Sequence, residues 1–570
     1  MKTLLKGGTL VNVFTGELEK TNVLIEDEII IGTGQYHDED ADVTENIVGK
    51  YLCPGLIDGH IHIESTMLTP AELAKMCLPH GTTAIVADPH EIANVCGVDG
   101  IRYMLEASEG LPLHVYFTLP SCVPATPFDE SGANLRAKDL EPLYENPRVV
   151  GLAEMMNYPG VLANDSDVMQ KIADARKFGK TVDGHAPSLS GKGLDQYISA
   201  GIQSDHECSC ASEAIEKIRK GQWVMIREGT AARNLKELLA LFETPYKHRC
   251  ILVTDDRHPA DLDGMGHIDH IIRLAVENGK NVITAIQMAT VQAAQCFGLS
   301  YVGAIAPAYR ADILVLNDLQ TMDICDVYTS GRKVVDGKQI RDFHIPEVDE
   351  KLRRNVKNSF HIEALMPSDF HIPPKGKFCR VIRVIPGQLV TDEQIEEIRW
   401  DECNGVDIQR DILKLAVLER HKNTGHRGLG FISGIGLKKG AIASSVSHDS
   451  HNLIVIGTND TDMALDANRI CQTGGNVVVA DGRIVSEMKL PIAGLMTEAS
   501  GKSIAAENEA VRAAVHALGA GEEIEPFMNM AFVSLPVIPS IKMTTQGLVD
   551  VNRQERISLY CDPPTSSTEA

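Results

Sequence analysis

Beyond residue 50 the chain alternates between short apolar or β-branched runs and stretches whose apolar positions recur at helical spacing. Eight runs stand out: Tyr51–Ile57, Thr82–Ala87, Leu113–Leu119, Val149–Met155, Lys180–Asp183, Gly201–Asp205, Trp223–Arg227 and Cys250–Thr254. Amphipathic stretches separate most of them, among them Pro70–Cys77, Asp165–Phe178, Ser212–Lys220 and Asn234–Phe242. Apolar strands alternating with helices are the pattern of a parallel sheet, because crossover helices cover its faces. Eight strand–helix units over about 250 residues match the length of a (β/α)8 barrel, so the expected class is α/β. An open doubly wound sheet usually has fewer strands and often a glycine-rich phosphate turn after the first. The sequence has no such turn.

The flanks read differently. Residues 1–50 show short strands at Thr3–Leu5, Thr9–Val13, Thr21–Glu26 and Glu28–Gly32, punctuated by Gly7-Gly8 and Gly16. Strands return at Gly303–Ile305, Asp312–Leu316, Ile324–Thr329 and Lys333–Val335. Residues 1–50 and 300–345 are therefore expected to form one split β-sandwich domain around a barrel of residues 51–299. The polar, proline-containing segment 346–378 reads as a linker. Residues 379–570 form a further α+β domain, with strands at Asp411–Leu418, Ala441–Ser447, Leu453–Gly457 and Asn476–Ala480. Helices are expected near Thr461–Cys471 and Ser503–Leu518.

Composition narrows the partners. In 570 residues, 54 Lys and Arg stand against 78 Asp and Glu, a formal charge of −24. That balance speaks against nucleic acid or an anionic membrane surface and suits a small neutral or cationic substrate. Thirteen scattered cysteines read as reduced thiols of a cytoplasmic protein. The opening MKTLLKGGTLVNVF lacks the pattern of a signal peptide, and no run reaches the roughly 18 apolar residues of a spanning helix.

The chemistry gathers where the runs end. The first run leads into Pro54-Gly55-Leu56-Ile57-Asp58-Gly59-His60-Ile61-His62. In extended backbone, residues two apart point to the same side, so His60 and His62 can converge on one point. Neutral imidazole is the commonest protein ligand for a transition metal. Later runs end in Glu154, in Asp183-Gly184-His185, in Ser204-Asp205-His206 and in Thr254-Asp255-Asp256. In a barrel all these ends lie on the carboxyl rim where active sites form. Two metals held by four histidines and a shared carboxylate is the economical reading. Asp255 is preferred to Asp256 because it directly follows its strand, and Asp256 is expected to cap the next helix. Cys208 and Cys210 follow His206 without the Pro-Cys-x-x-Cys of the zinc cytidine-type deaminases, and read as idle thiols.

These residues resemble the amidohydrolase superfamily, through PGLIDGHIH, the split β layer and the closing Gly303-Ala304-Ile305-Ala306-Pro307 and Ala311–Leu316 segments. More narrowly, the chain is similar over nearly its whole length to the bacterial adenine deaminases. The matching stretches are Ala87-Asp88-Pro89-His90-Glu91-Ile92-Ala93-Asn94, Val253–His258 and Ser447-His448-Asp449-Ser450-His451-Asn452. The resemblance implies that His60, His62 and Asp255 hold a first, more buried ion and that His185 and His206 hold a second. Glu154 stands where many binuclear members carry a carboxylated lysine bridging both ions. That departure argues against the dihydroorotase and hydantoinase branches. The resemblance implies iron or manganese more than zinc, and a homodimer or higher homo-oligomer.

The implied reaction is attack of hydroxide on C6 of adenine, with Asp255 taking the water's proton and passing it to the leaving nitrogen. A second donor must protonate ring N1, and Glu91, Glu228, His258 and Arg227 are all candidates. His90, Ser121, His448 and His451 complete the expected substrate contacts, with the 448–452 loop read as a lid excluding water. Another aminopurine or cyclic C–N substrate, or a metal-free scaffold, are the alternatives. Every ligand position being filled speaks against the scaffold.

Overall fold

The computed structural model describes residues 1–230, 232–400 and 403–563, so the polar tail 564–570 lies outside the described residues. The chain divides into two compact units. The first comprises Met1–Pro89, Met104–Ser121 and Arg136–Val348; the second comprises His90–Tyr103, Cys122–Leu135 and the chain from Asp349 onward. Two stretches expected inside the barrel domain, 90–103 and 122–135, thus belong to the second unit.

Eight parallel strands organise the first unit. They are β1 (Leu56–Ile61), β2 (Thr82–Ala87), β3 (His114–Leu119), β4 (Val149–Met155), β5 (Thr181–Gly184), β6 (Ser204–Asp205), β7 (Trp223–Arg227) and β8 (Cys250–Val253). β1 to β5 pair in sequence order as one sheet, and β6 to β8 as another. The Gln203 amide donates to the Val182 carbonyl at 2.9 Å at one junction. At the other, Ile61 and Asp255 form a parallel bridge, and the Asp255 amide donates to the His60 carbonyl at 2.9 Å. The eight strands therefore close into a ring, as the alternation of apolar runs and helices predicts.

Within PGLIDGHIH, Asp58 fastens this closure. Its buried carboxylate accepts from the Thr254 hydroxyl and, at 3.1 Å, from the Thr254 amide, while His267 Nε2 lies 3.2 Å away. Glycine at 55 is required by packing: a Cβ there would sit 2.1 Å from Thr83 Oγ1. The first expected run also splits at this glycine. Tyr51–Pro54 pairs with Ile313–Leu316 and with Thr9–Leu10, outside the ring, and only Leu56–Ile61 joins it.

That split joins the flanks. Through Tyr51–Pro54, the strands of residues 1–46 and 313–340 join in one nine-stranded sheet, and apolar residues of both flanks, Val23, Ile25 and Ile30 with Ile313, Val315 and Tyr328, share one core. Thr3–Leu5 and Thr9–Val13 merge into one strand, Lys2–Asn12, with its register shifted between Leu5 and Gly8. Gly7 takes φ +83° there, which an L side chain rarely tolerates. Gly303–Ile305 forms no strand, and the expected helix at Asn234–Phe242 is reduced to a 3-10 turn at Leu239–Phe242.

The second unit contains another nine-stranded sheet, with Leu413–Leu418, Leu453–Gly457, Ala441–Ser444 and Asn476–Ala480 as successive central strands. Helix Asp460–Thr473 covers it with Met463, Ala464, Ala467 and Ile470. The expected linker is structured: Glu350–Lys357 is helical, and Phe360, Ile362, Leu365 and Phe370 pack into the same core. Among the described residues no helix is long and apolar enough to cross a membrane.

One buried ion pair gives the first unit a predictable acid response. Burial would raise the Asp269 carboxyl, but His80 at 3.1 Å and Arg273 at 2.5 Å outweigh it and hold its pKa at about 2. A depressed folded-state pKa adds stability that is complete above the unfolded value near 4 and lost as pH falls through the folded one. Asp269→Asn should therefore lower stability at pH 6, and about 2 kcal/mol of that deficit should vanish by pH 2. Urea unfolding of both proteins across this range measures it; a deficit independent of pH would show that the charge contributes nothing.

Candidate metal centre

The carboxyl ends of β1, β4, β5, β6 and β8 bring together all six residues expected as ligands. His60 closes β1 and donates through Nδ1 to Asp183 Oδ2 on β5 at 3.1 Å. His62 donates through Nδ1 to the Asp88 carbonyl at 3.1 Å. A carbonyl can only accept, so His62 Nδ1 carries the hydrogen and Nε2 keeps a lone pair. That lone pair lies 3.2 Å from Asp255 Oδ1 and 3.5 Å from Glu154 Oε1. His60 Nε2 is 3.7 Å from the same Asp255 oxygen and is buried without a hydrogen-bond partner among the described residues. Imidazole lone pairs turned toward carboxylates repel unless a cation or a proton lies between them.

Glu154 joins the two halves of the cluster. Its Oε1 faces His62, whereas its Oε2 is 2.6 Å from His185 Nδ1 and 3.2 Å from His206 Nε2. The rings are closely set, with His60 stacked on His206 at 4.3 Å between centroids. Burial alone would raise the Glu154 carboxyl, yet His185 and His206 hold it well below the usual range. Reciprocally, Glu207 and Glu154 push His185 up to about 9 against the effect of burial. A site this rich in negative charge holds protons in the absence of a cation and releases them to one.

Asp255 occupies a left-handed backbone conformation, φ 61°, at the end of β8. For a residue other than glycine this is strained, and such strain collects at functional sites. It divides the carboxylate: Oδ1 faces His62, and Oδ2 accepts from Arg227 Nη1 at 2.5 Å. Arg227 and His62 together hold the Asp255 carboxyl well below its ordinary range despite burial, with Arg227 the larger influence.

The remaining expected contacts fall in several places. Arg227 is committed to Asp255 and, through both terminal nitrogens, to Glu207 at 2.6 and 2.9 Å. The Ser121 hydroxyl donates to the Glu154 carbonyl, supporting the backbone behind that carboxylate. Glu228 Oε1 accepts from the Leu235 amide at 3.1 Å, and burial raises its carboxyl pKa. The His258 amide donates to Thr230 at 2.8 Å just before helix Pro259–Met265, in the capping place expected of Asp256. Asp256 instead accepts from Ser65 at 2.5 Å.

His90, Glu91, His448 and His451 all belong to the second unit and form a buried cluster there. His448 Nδ1 is 2.7 Å from Glu91 Oε1, His90 Nε2 lies 3.3 Å from that oxygen, and His451 Nε2 meets Glu91 Oε2. The Ser447 amide donates to His451 Nδ1 at 3.2 Å, so a neutral His451 carries its hydrogen on Nε2 and meets Glu91 as a donor rather than as a ligand.

Two contributors escape the sequence reading. Asp183 stands two residues before His185 on β5, and its inward alternation was the available signal. Glu207 follows His206 directly and lies 3.4 Å from His206 Nε2 and 3.6 Å from His185 Nδ1. Nothing in its spacing marks it, because it leaves the alternation at the strand end.

An eight-strand ring with these candidate metal-binding residues at its carboxyl rim is the arrangement of the amidohydrolase class, and the amidohydrolase family model matches residues 51–334. Residues 388–555 match the adenine deaminase C-terminal domain. The chain is 46% identical to adenine deaminase 2 of Carboxydothermus hydrogenoformans, covering 96% of this chain and 95% of that protein. It is 43% identical to the adenine deaminase of Desulfatibacillum aliphaticivorans, covering 98% and 97%. Among solved structures, the β-aspartyl dipeptidase of Fervidobacterium islandicum aligns with a TM-score of 0.47 at 16% identity, over 60% of this chain and 99% of that one. The chain belongs to the adenine deaminase family.

Proposed function

We infer that the chain hydrolyses adenine to hypoxanthine and ammonia at a binuclear centre. The single observation that carries the centre is Glu154, whose two oxygens face histidines from opposite sides of the cluster. Full-length kinship to the adenine deaminases carries the substrate. His60, His62 and Asp255 would hold one divalent ion, His185 and His206 the other, and Glu154 both, with iron or manganese preferred to zinc. When bound, the ions supply a water acidic enough to react as hydroxide near neutrality.

The chain's own residues do the rest. Asp183 and the Asp88 carbonyl orient the β1 imidazoles, as outer partners of metal-binding histidines commonly do. Asp255 accepts the proton of the attacking water and returns it to the C6 nitrogen, which then leaves as ammonia rather than as amide ion. Arg227 keeps that carboxylate in place. Glu228 is the proposed donor to the ring nitrogen, since burial favours its protonated form. The reading also makes the protein a cytoplasmic homo-oligomer, and it retains Ser121 and His258 as substrate contacts.

Ammonia release from adenine, other aminopurines and cytosine tests the assignment. Protein purified with manganese should prefer adenine by at least about a hundredfold in kcat/KM, as expected of a pocket that pairs the polar atoms of its own base. Equal turnover of another aminopurine would transfer the assignment to that base.

A further inference from the structure

A cavity opens in the first unit, at the opposite ends of the strands from the candidate metal centre. It measures about 770 Å³, within the range of small-molecule sites. His114 opens β3 and Arg148 directly precedes β4, so this is the amino end of the strands. The hairpin turn between Asp323–Thr329 and Arg332–Asp336 supplies another wall.

Its chemistry departs from that of the whole molecule. The chain carries a formal charge of −24, yet five arginine or lysine side chains and two histidines line this cavity against three carboxylates; Arg310, Lys333 and Arg341 also pair with Asp312, Glu45 and Asp336. Two guanidinium groups are fixed in advance. Arg310 donates to Asp312 at 2.6 Å and to the Tyr116 hydroxyl at 2.8 Å, leaving Nη2 without a hydrogen-bond partner among the described residues. Arg148 donates to Ser108 Oγ at 2.8 Å and to the Leu105 carbonyl at 2.5 Å, and pairs with the exposed Glu109. The exposed side chain of Arg332, on the hairpin, makes no hydrogen bond or ion pair among the described residues. His344 lines the same space.

Guanidinium groups match phosphate oxygens in planar, two-point hydrogen bonds, and fixing them beforehand lowers the entropic cost of binding. A polyanion such as nucleic acid would be repelled by the surrounding negative charge, whereas a small anion needs only the unused donors of Arg310 and Arg332. We propose that this cavity binds a phosphate-bearing molecule of nucleotide size, recognised by Arg148, Arg310 and Arg332, at a site separate from the metal centre. Tyr116 and Phe343, also on its walls, offer apolar surface for the organic part.

Calorimetric titration of the full-length, metal-loaded protein with AMP at low ionic strength tests this. AMP should bind with Kd below about 1 mM, and Arg332→Ala should weaken it by about tenfold, one charge-assisted contact. Arg332→Glu and His344→Glu, both on exposed side chains, should weaken it further while leaving adenine turnover unchanged without AMP. Inorganic phosphate should compete with AMP, and adenine should not. Adenosine binding as tightly as AMP, displacement of AMP by adenine, or affinity unaltered in Arg332→Glu would each overturn the proposal, because binding would then rest on the base or on the metal centre.

Discussion

Glu154→Gln should reduce adenine turnover by at least about a hundredfold and cost the protein a share of its bound metal. The substitution keeps the shape of the side chain and changes one oxygen to an amide nitrogen, which cannot accept or ligate. Whichever way the amide turns, either the His62 side or the His185–His206 side loses its shared oxygen. The neighbouring hydrogen bond from Ser121 reaches the backbone carbonyl and survives, so the fold behind the site is preserved. Metal content by elemental analysis beside kcat separates the roles. Two retained equivalents with full turnover would mean that the two sides of the cluster do not share this carboxylate, and the binuclear reading would fall.

How much of this was legible in the sequence depended on periodicity. The ring strands are apolar on both faces and bounded by helices, so their runs and their inward ends could be counted directly. His60, His62, His185, His206 and Asp255 each follow such a run, and ring closure alone brings them together. What escaped obeys no period. The break at Gly55 is invisible to an apolar run that continues through it, although the backbone leaves one sheet and enters another there. Asp183 and Glu207 act through partners supplied by distant strands, and a carboxylate beside a histidine in sequence does not announce which cation it will meet. Arg227 illustrates the same limit: its position at a strand end predicted a role at the site, but only coordinates show that it is held by Asp255 and Glu207. The assignment of 90–103 and 122–135 to the second unit is a matter of long-range contacts, to which local pattern is blind.

Asp255→Asn isolates the proton transfer from the ligand role. General acid–base catalysis is typically worth about 10² to 10⁴-fold, and adenine turnover should fall within that range. In the native chain the two oxygens face unlike partners, Arg227 on one side and the histidines of β1 on the other. An asparagine must place its amide nitrogen toward a guanidinium that can only donate, or toward imidazole nitrogens that the proposed centre needs as ligands. The orientation that keeps the carbonyl on the ion side retains metal while removing the group that carries the proton. A substrate with a different leaving group then distinguishes the two losses. Chloride leaves a purine C6 without protonation, whereas nitrogen does not, so 6-chloropurine hydrolysis should suffer much less in the variant than adenine hydrolysis. An equal defect for both substrates, with one metal equivalent missing, would show that Asp255 serves only to hold the ion, and the delivery of the proton would have to be assigned to another residue of the rim.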